Sequence, residues 1–218
     1  MTTFALVHGS GDGGWSWHLV RRALEERGHA AVAPDLPTDR DDATWDDCVE
    51  AVVGAVGAVG DATEVVVVGH SAGGFVAPLV ADRLGARMQV FVAGMVPRPG
   101  ETATEWFGNV GWAEEVDPDP LVAFFHDVPD ELAEQAVARE RPTAQRLGET
   151  PWPLAALPTA RSRYVVATRD RFLPVAVQRR SAERLGITHP DAIASGHCVH
   201  LSRPEELANL LVGYLGER

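Results

Sequence analysis

Residues 64–74 read Glu64-Val65-Val66-Val67-Val68-Gly69-His70-Ser71-Ala72-Gly73-Gly74. Four consecutive valines make an apolar run without polar alternation, the pattern of a parallel strand covered on both faces. Glycine ends the run, and Ala72 to Leu84 then reads as helix, so the chain passes from strand to helix within one turn. Outward from this point the same alternation repeats. Upstream, Phe4 to His8 is followed by a helical Trp15 to Arg27, and His29 to Pro34 by a helical Thr44 to Val59. Downstream come a strand at Met88 to Ala93, a strand at Arg163 to Thr168, a helix at Val175 to Leu185, a strand near Thr188 to Ala194 and a last helix at Pro204 to Leu215. Such alternation predicts an α/β fold with a doubly wound, mostly parallel sheet of about six strands.

The 218 residues suit one domain, expected over 1–218. Residues 96–158 interrupt the alternation with Trp106, Phe107, Trp112, Phe124, Phe125 and Trp152 among prolines and acidic residues, and Asp130 to Arg141 has helical periodicity. So long a connection inside a compact domain needs structure of its own, and a helical insertion folded over one edge of the sheet is expected. Its aromatics divide between cementing the insertion and lining a pocket; Trp106, Phe125 and His126 are taken as candidate substrate contacts.

Charge and composition exclude several classes. Nineteen basic residues, all Arg, stand against 31 acidic ones, for a formal net charge of -12. That field repels phosphate backbones and anionic lipid, so neither nucleic acid nor a membrane surface is the expected partner. The absence of Lys removes Schiff-base chemistry and the P-loop lysine. Cys48 and Cys198 form no C-x-x-C pair, and no apolar run approaches the roughly 20 residues of a membrane span. The amino terminus shows no leader-like pattern, which gives a reducing cytoplasm as the expected compartment; Arg-only basicity with abundant Ala, Val and Gly suggests a bacterial, GC-rich coding sequence.

Two glycine motifs compete. Gly9-Ser10-Gly11-Asp12-Gly13-Gly14 fits G-x-G-x-x-G between a strand and a helix, with Asp35 at the end of the next strand. Trp15 and Trp17, however, stand where a dinucleotide-binding helix needs small side chains, and without Lys there is no Tyr-x-x-x-Lys pair. No nicotinamide or other cofactor is expected. Gly69-His70-Ser71-Ala72-Gly73 fits G-x-S-x-G in a strand-turn-helix context. A sharp turn there strains the serine backbone, holds Ser71 above the sheet and aims the free amides of the next helix at the same point.

Serine needs a base and the base an orienting acid. Gly196-His197-Cys198-Val199-His200 follows the last strand; His197 is the expected base, and His200 is assigned to packing at a helix start that Ser202-Arg203-Pro204-Glu205 opens with a capping-box pattern. Reading H-x-x-H as a metal site finds no third ligand nearby. Asp170 closes the preceding strand and is the expected acid. The amides of Ser10 and Ala72 are the candidate oxyanion donors, with Gly9 and His70 beside the substrate.

With these residues placed, the chain resembles the α/β-hydrolase superfamily, and within it the small-esterase branch that includes plant methyl-ester esterases and hydroxynitrile lyases. The resemblance rests on Val7-His8-Gly9-Ser10, Gly14-Trp15-Ser16-Trp17, Gly28-His29, Pro34-Asp35-Leu36, Gly69 to Gly74, Asp170 to Pro174, and Gly196-His197-Cys198 through Leu207. It implies the same roles for Ser71, His197 and Asp170, a helical cap over the site, no cofactor, a structural role for Asp35 and, as often in that branch, homodimers. The lyases typically carry Thr, Glu and Lys where this chain has Gly9, His70 and Cys198, which points to the esterase side. The expected activity is hydrolysis of a small carboxylic ester, lactone or thioester through an acyl-enzyme; lyase, cyclase or receptor use of the same scaffold is the alternative.

Overall fold

A computed structural model describes residues 1–60, 64–113 and 115–216. Its strands are β1 (Thr2–Val7), β2 (Ala30–Val32), β3 (Glu64–His70), β4 (Met88–Val92), β5 (Arg161–Ala167) and β6 (Asp191–Ile193), paired in the order β2-β1-β3-β4-β5-β6 with every pair parallel. The expected α/β sheet of six strands is present, and parallel throughout. Period-two geometry divides β1 and β3 between two cores. Ala5, Val7, Val65 and Val67 face α2 (Trp45–Ala58) and α3 (Gly73–Leu84), whereas Phe4, Leu6, Val66 and Val68 face α1 (His18–Glu26) and α10 (Pro204–Gly216). The valine run is therefore buried on both sides, which is why it carries no polar alternation.

Between β4 and β5 the described residues form four short helices, α4 (Ala103–Asn109), α5 (Pro120–Ala123), α6 (Asp130–Val137) and α7 (Gln145–Glu149). Side chains and backbone far away in sequence hold them. Glu101 and Arg184, both 4% exposed, form a two-pronged ion pair at 2.6 and 3.0 Å. The Trp152 indole donates to Phe75 O at 2.9 Å, and Arg141 N bonds Gly11 O at 3.0 Å. The remaining helices are α8 (Val175–Glu183) and α9 (Val199–Ser202).

Several expected bounds shift for local reasons. The first helix opens as a 3-10 turn over Gly14–Trp17, and the helix expected to reach Arg141 ends at Val137, freeing Arg139 to sit over the Trp15 ring at 4.5 Å. Only three residues near Thr188 to Ala194 pair as β6. The expected capping box at Ser202 does not form: Ser202 closes α9 and its hydroxyl bonds Ser195 Oγ at 2.6 Å, while Glu205 pairs with Arg27. Among the described residues no helix is long and apolar enough to cross a membrane.

Candidate active site

The turn from β3 to α3 is shaped by close backbone approach. A β-carbon on Gly69 would lie 2.7 Å from Gly73 O, one on Gly73 2.5 Å from His8 O, and one on Gly74 2.2 Å from Met95 O. Only glycine fits at these three positions. Ser71 between them takes φ 50°, the left-handed region that a side-chain-bearing residue adopts only when its surroundings impose it. The surroundings do so: Ser71 N bonds Val92 O at 3.3 Å, and Ser71 O accepts from Gly74 N at 3.0 Å and Met95 N at 2.9 Å.

Asp170 and His197 come from the ends of β5 and β6, loops tied by Arg169 N to Ser195 O at 2.8 Å. His197 Nδ1 lies 2.7 Å from Asp170 Oδ2, with both side chains buried. Oδ1 of Asp170 accepts from Phe172 N and Leu173 N, each at 2.8 Å, so the carboxylate is saturated with donors and fixed in direction. Committing Nδ1–H to Asp170 leaves Nε2 of neutral His197 as the basic nitrogen. Phe124 and Phe172 flank the ring edge-on, with centroids at 5.7 and 5.1 Å.

Ser71 and His197 open into one cavity of about 460 Å³. Of the other residues singled out in the sequence, Gly9, Ser10, Ala72, His70 and Phe125 line it. A β-carbon on Gly9 would come within 3.0 Å of Ser71 Cβ, so glycine is what lets the loop after β1 close on the serine. Thr143 pins that loop from the far side, accepting from Ser10 Oγ at 2.9 Å and Gly11 N at 3.1 Å.

Trp106 and His126 are corrections. Neither lines the cavity. Trp106 is fully buried and donates to Val96 O at 3.1 Å, a cement role for an indole that needs a partner. His126 packs on the loop before His197, its Cε1 2.7 Å from where a Gly196 β-carbon would stand. His200 packs at the start of α9 as expected: it is fully buried, stacked on Trp17 at 4.7 Å and 3.6 Å from Asp12 Oδ2. Asp35 holds Gly14 N at 2.7 Å, which fits a structural role.

Other residues of the site escaped sequence reasoning. Gln178 on α8, fully buried, accepts from Ala167 N at 2.8 Å and donates to Leu173 O at 2.6 Å and Asp170 Oδ2 at 3.2 Å. Asp127 accepts from Gly196 N at 2.8 Å and so ties the insertion to the histidine loop. His8 accepts from Leu36 N at 2.9 Å and donates to Gly9 O at 2.8 Å; burial holds its pKa below the ordinary value. His70 donates from Nε2 to His197 O at 3.0 Å, and burial keeps it well below the usual histidine range. His70 was singled out in sequence, beside the second glycine motif; of the residues missed, a signal existed for His8, which sits beside the first.

Chemically, the arrangement offers a strained serine at a helix start, an imidazole oriented by a saturated carboxylate, and a mostly apolar cavity whose wall includes Trp45, Phe75, Phe107, Phe124, Phe125 and Phe172. Asp12 and Glu140 are the charged side chains among the described residues lining it, His apart.

A model described as the alpha/beta hydrolase family matches residues 4–210. Norfluorocurarine synthase 2 of Strychnos nux-vomica is 25% identical over a 250-residue alignment that covers 96% of this chain and 93% of that one. Methylesterase 18 of Arabidopsis thaliana is 31% identical over 116 residues, 49% of this chain and 44% of the other. Among solved structures, polyneuridine aldehyde esterase superposes with a TM-score of 0.82 at 22% identity, covering 99% of each chain; this likeness speaks to the fold alone.

Proposed function

We propose, for a chain that belongs to the alpha/beta hydrolase family, that it is a serine esterase cleaving a small, largely apolar carboxylic ester through an acyl-enzyme. His197 Nε2 takes the proton of Ser71 as its Oγ attacks the ester carbonyl; Asp170 holds the ring and stabilises the imidazolium. The amides of Ser10 and Ala72 receive the oxyanion. His197 then protonates the leaving alkoxide, and a water activated by the same ring resolves the acyl-enzyme. Helices α4 to α7 serve as the cap, presenting Phe107, Phe124 and Phe125 to the acyl or alcohol group. The observation that carries this reading is the buried 2.7 Å bond between His197 and Asp170 in a cavity shared by His197 and a serine at positive φ. Relatives named methylesterase support ester substrates in particular.

The test is turnover of p-nitrophenyl esters from acetyl to octanoyl by the wild type and Ser71→Ala. The wild type is expected to hydrolyse them with an optimum chain length set by the cavity, and the variant to fall to background; equal rates would mean a different nucleophile. A non-hydrolytic reading has one observation in its favour, the near full-length likeness to proteins named synthases. Product analysis separates the two, since hydrolysis releases a free acid and an alcohol.

A further inference from the structure

In sequence, the H-x-x-H pair His197 and His200 lacks a third ligand nearby. The fold supplies two, and pairs them with His200 rather than His197. Asp12 arrives on the glycine-rich loop after β1, His70 is the last residue of β3, and His200 lies in α9; one nitrogen or oxygen from each falls within 4.8 Å of the others. His200 Nε2 and Asp12 Oδ2 are 3.6 Å apart.

Asp12 Oδ1 accepts from Gly13 N at 2.8 Å, but the two imidazoles beside it are not satisfied. His200 is fully buried and neither ring nitrogen has a hydrogen-bond partner; His70 is 3% exposed and its Nδ1 has none. Buried polar atoms left unpaired are destabilising and uncommon, so this niche calls for an occupant. The tautomer of His70 points to its kind. With Nε2–H committed to His197 O, Nδ1 presents a lone pair, and a backbone carbonyl holding the far nitrogen is how metal-binding imidazoles are oriented.

Two imidazoles and one carboxylate form a ligand set for zinc and neighbouring first-row divalent ions, with a fourth position left for solvent. Donors around a tetrahedral zinc at bond lengths of about 2.0–2.1 Å stand roughly 3.3 Å apart. The Asp12–His200 pair is close to that separation already, and binding draws the third donor inward. Asp12 and His70 both line the cavity, which gives the ion an entry path.

We infer that Asp12, His70 and His200 form a binding site for a divalent transition-metal ion of zinc type at the floor of the cavity, beside the nucleophile turn. The site stands on its own ligands and does not depend on the esterase reading. Its test uses untagged full-length protein stripped with chelator, titrated with Zn²⁺ by calorimetry and with Co²⁺ by visible absorption, alongside Asp12→Asn, His200→Gln and Ser71→Ala. The wild type and Ser71→Ala are expected to bind one equivalent, with cobalt d–d bands, whereas Asp12→Asn and His200→Gln lose affinity by about 100-fold or more. Zn²⁺ is also expected to raise the melting temperature of the wild type but not of Asp12→Asn. The Asp12 side chain is 28% exposed on a loop, so that variant retains the fold even if His200→Gln does not. Absence of stoichiometric binding to the wild type overturns the site, as does equal affinity in Asp12→Asn. Loss of turnover in Ser71→Ala with metal binding intact separates the two proposals.

Discussion

The turn from β3 to α3 and the connection from β4 to β5 are built by different means. At the turn, backbone groups dictate each choice: glycine at 69, 73 and 74 because the carbonyls of Gly73, His8 and Met95 leave no room for a β-carbon, and a serine held at positive φ by three backbone hydrogen bonds. The four described helices between β4 and β5 are instead held by side chains, such as Glu101 on Arg184, Trp152 on Phe75 O and Asp127 on Gly196 N. Backbone sterics leave a motif in sequence, because only glycine meets them, whereas side-chain packing leaves only composition. The turn should therefore be intolerant and sharply specified, and the insertion should bend to substitution except at its anchors.

The largest effects are expected at the turn and its partners. Ser71→Ala and His197→Ala should each reduce kcat/KM by about 10⁴-fold or more while leaving the fold intact, and Asp170→Asn by about 10⁴-fold, because an amide in place of the carboxylate favours the wrong imidazole tautomer. Steady-state ester hydrolysis together with circular dichroism checks both halves. Retained activity in His197→Ala would break the comparison at its strongest point.

A pair of glycine substitutions sets the two regions against each other. Gly73→Ala drives a β-carbon into the carbonyls of His8 and Val7, at 2.5 and 2.6 Å, and should destabilise by about 3 kcal/mol or more. Gly108→Ala, in α4 with open space around it, should stabilise by about 0.5–1 kcal/mol. Urea denaturation of both variants reads the difference. The anchors are the exception within the insertion. Glu101→Gln leaves the buried Arg184 guanidinium without its carboxylate and should destabilise by about 3 kcal/mol. It should also raise KM more than it lowers kcat if α4 shapes the substrate cavity, and unchanged stability would show that the pair is not an anchor.

The smallest effect concerns pH. Bonds from the Thr102 amide and hydroxyl hold the Glu105 carboxyl below its ordinary pKa, as those of Thr44 do for Asp47 at the start of α2. Because the folded values are depressed, the stabilisation is complete above the unfolded values near 4 and is lost as pH falls through the folded ones. Melting temperature should therefore drop more steeply on acidification for the wild type than for Glu105→Gln. Parallel curves would show that the cap at α4 contributes nothing.

What the sequence disclosed follows the same division. The six-stranded, mostly parallel sheet was legible because doubly buried strands show as valine-rich runs. Ser71, His197, Ser10 and Ala72 were legible as cavity residues because turn chemistry fixes where those loops end. Trp106 and His126 were misread because an aromatic ring in an insertion looks alike whether it cements or lines a pocket, and only the tertiary position of Val96 O or Gly196 decides. Gln178 and Asp127 gave no signal at all. A lone polar side chain on a helix or loop looks solvent-directed until the fold brings a backbone amide or carboxylate to it. The gathering of Asp12, His70 and His200 is of the same kind, three residues spread across the chain and joined by the sheet order.

The most direct test of the central claim is covalent labelling with a fluorophosphonate that mimics the tetrahedral intermediate, followed by mass spectrometric mapping of the adduct. One equivalent on the peptide carrying Ser71, abolished in Ser71→Ala and strongly slowed in His197→Ala, is the result predicted. Cys198 should stay unmodified, since burial raises its thiol well above the ordinary range and keeps it protonated. No adduct, or an adduct on any residue other than Ser71, would contradict a serine nucleophile at the β3–α3 turn.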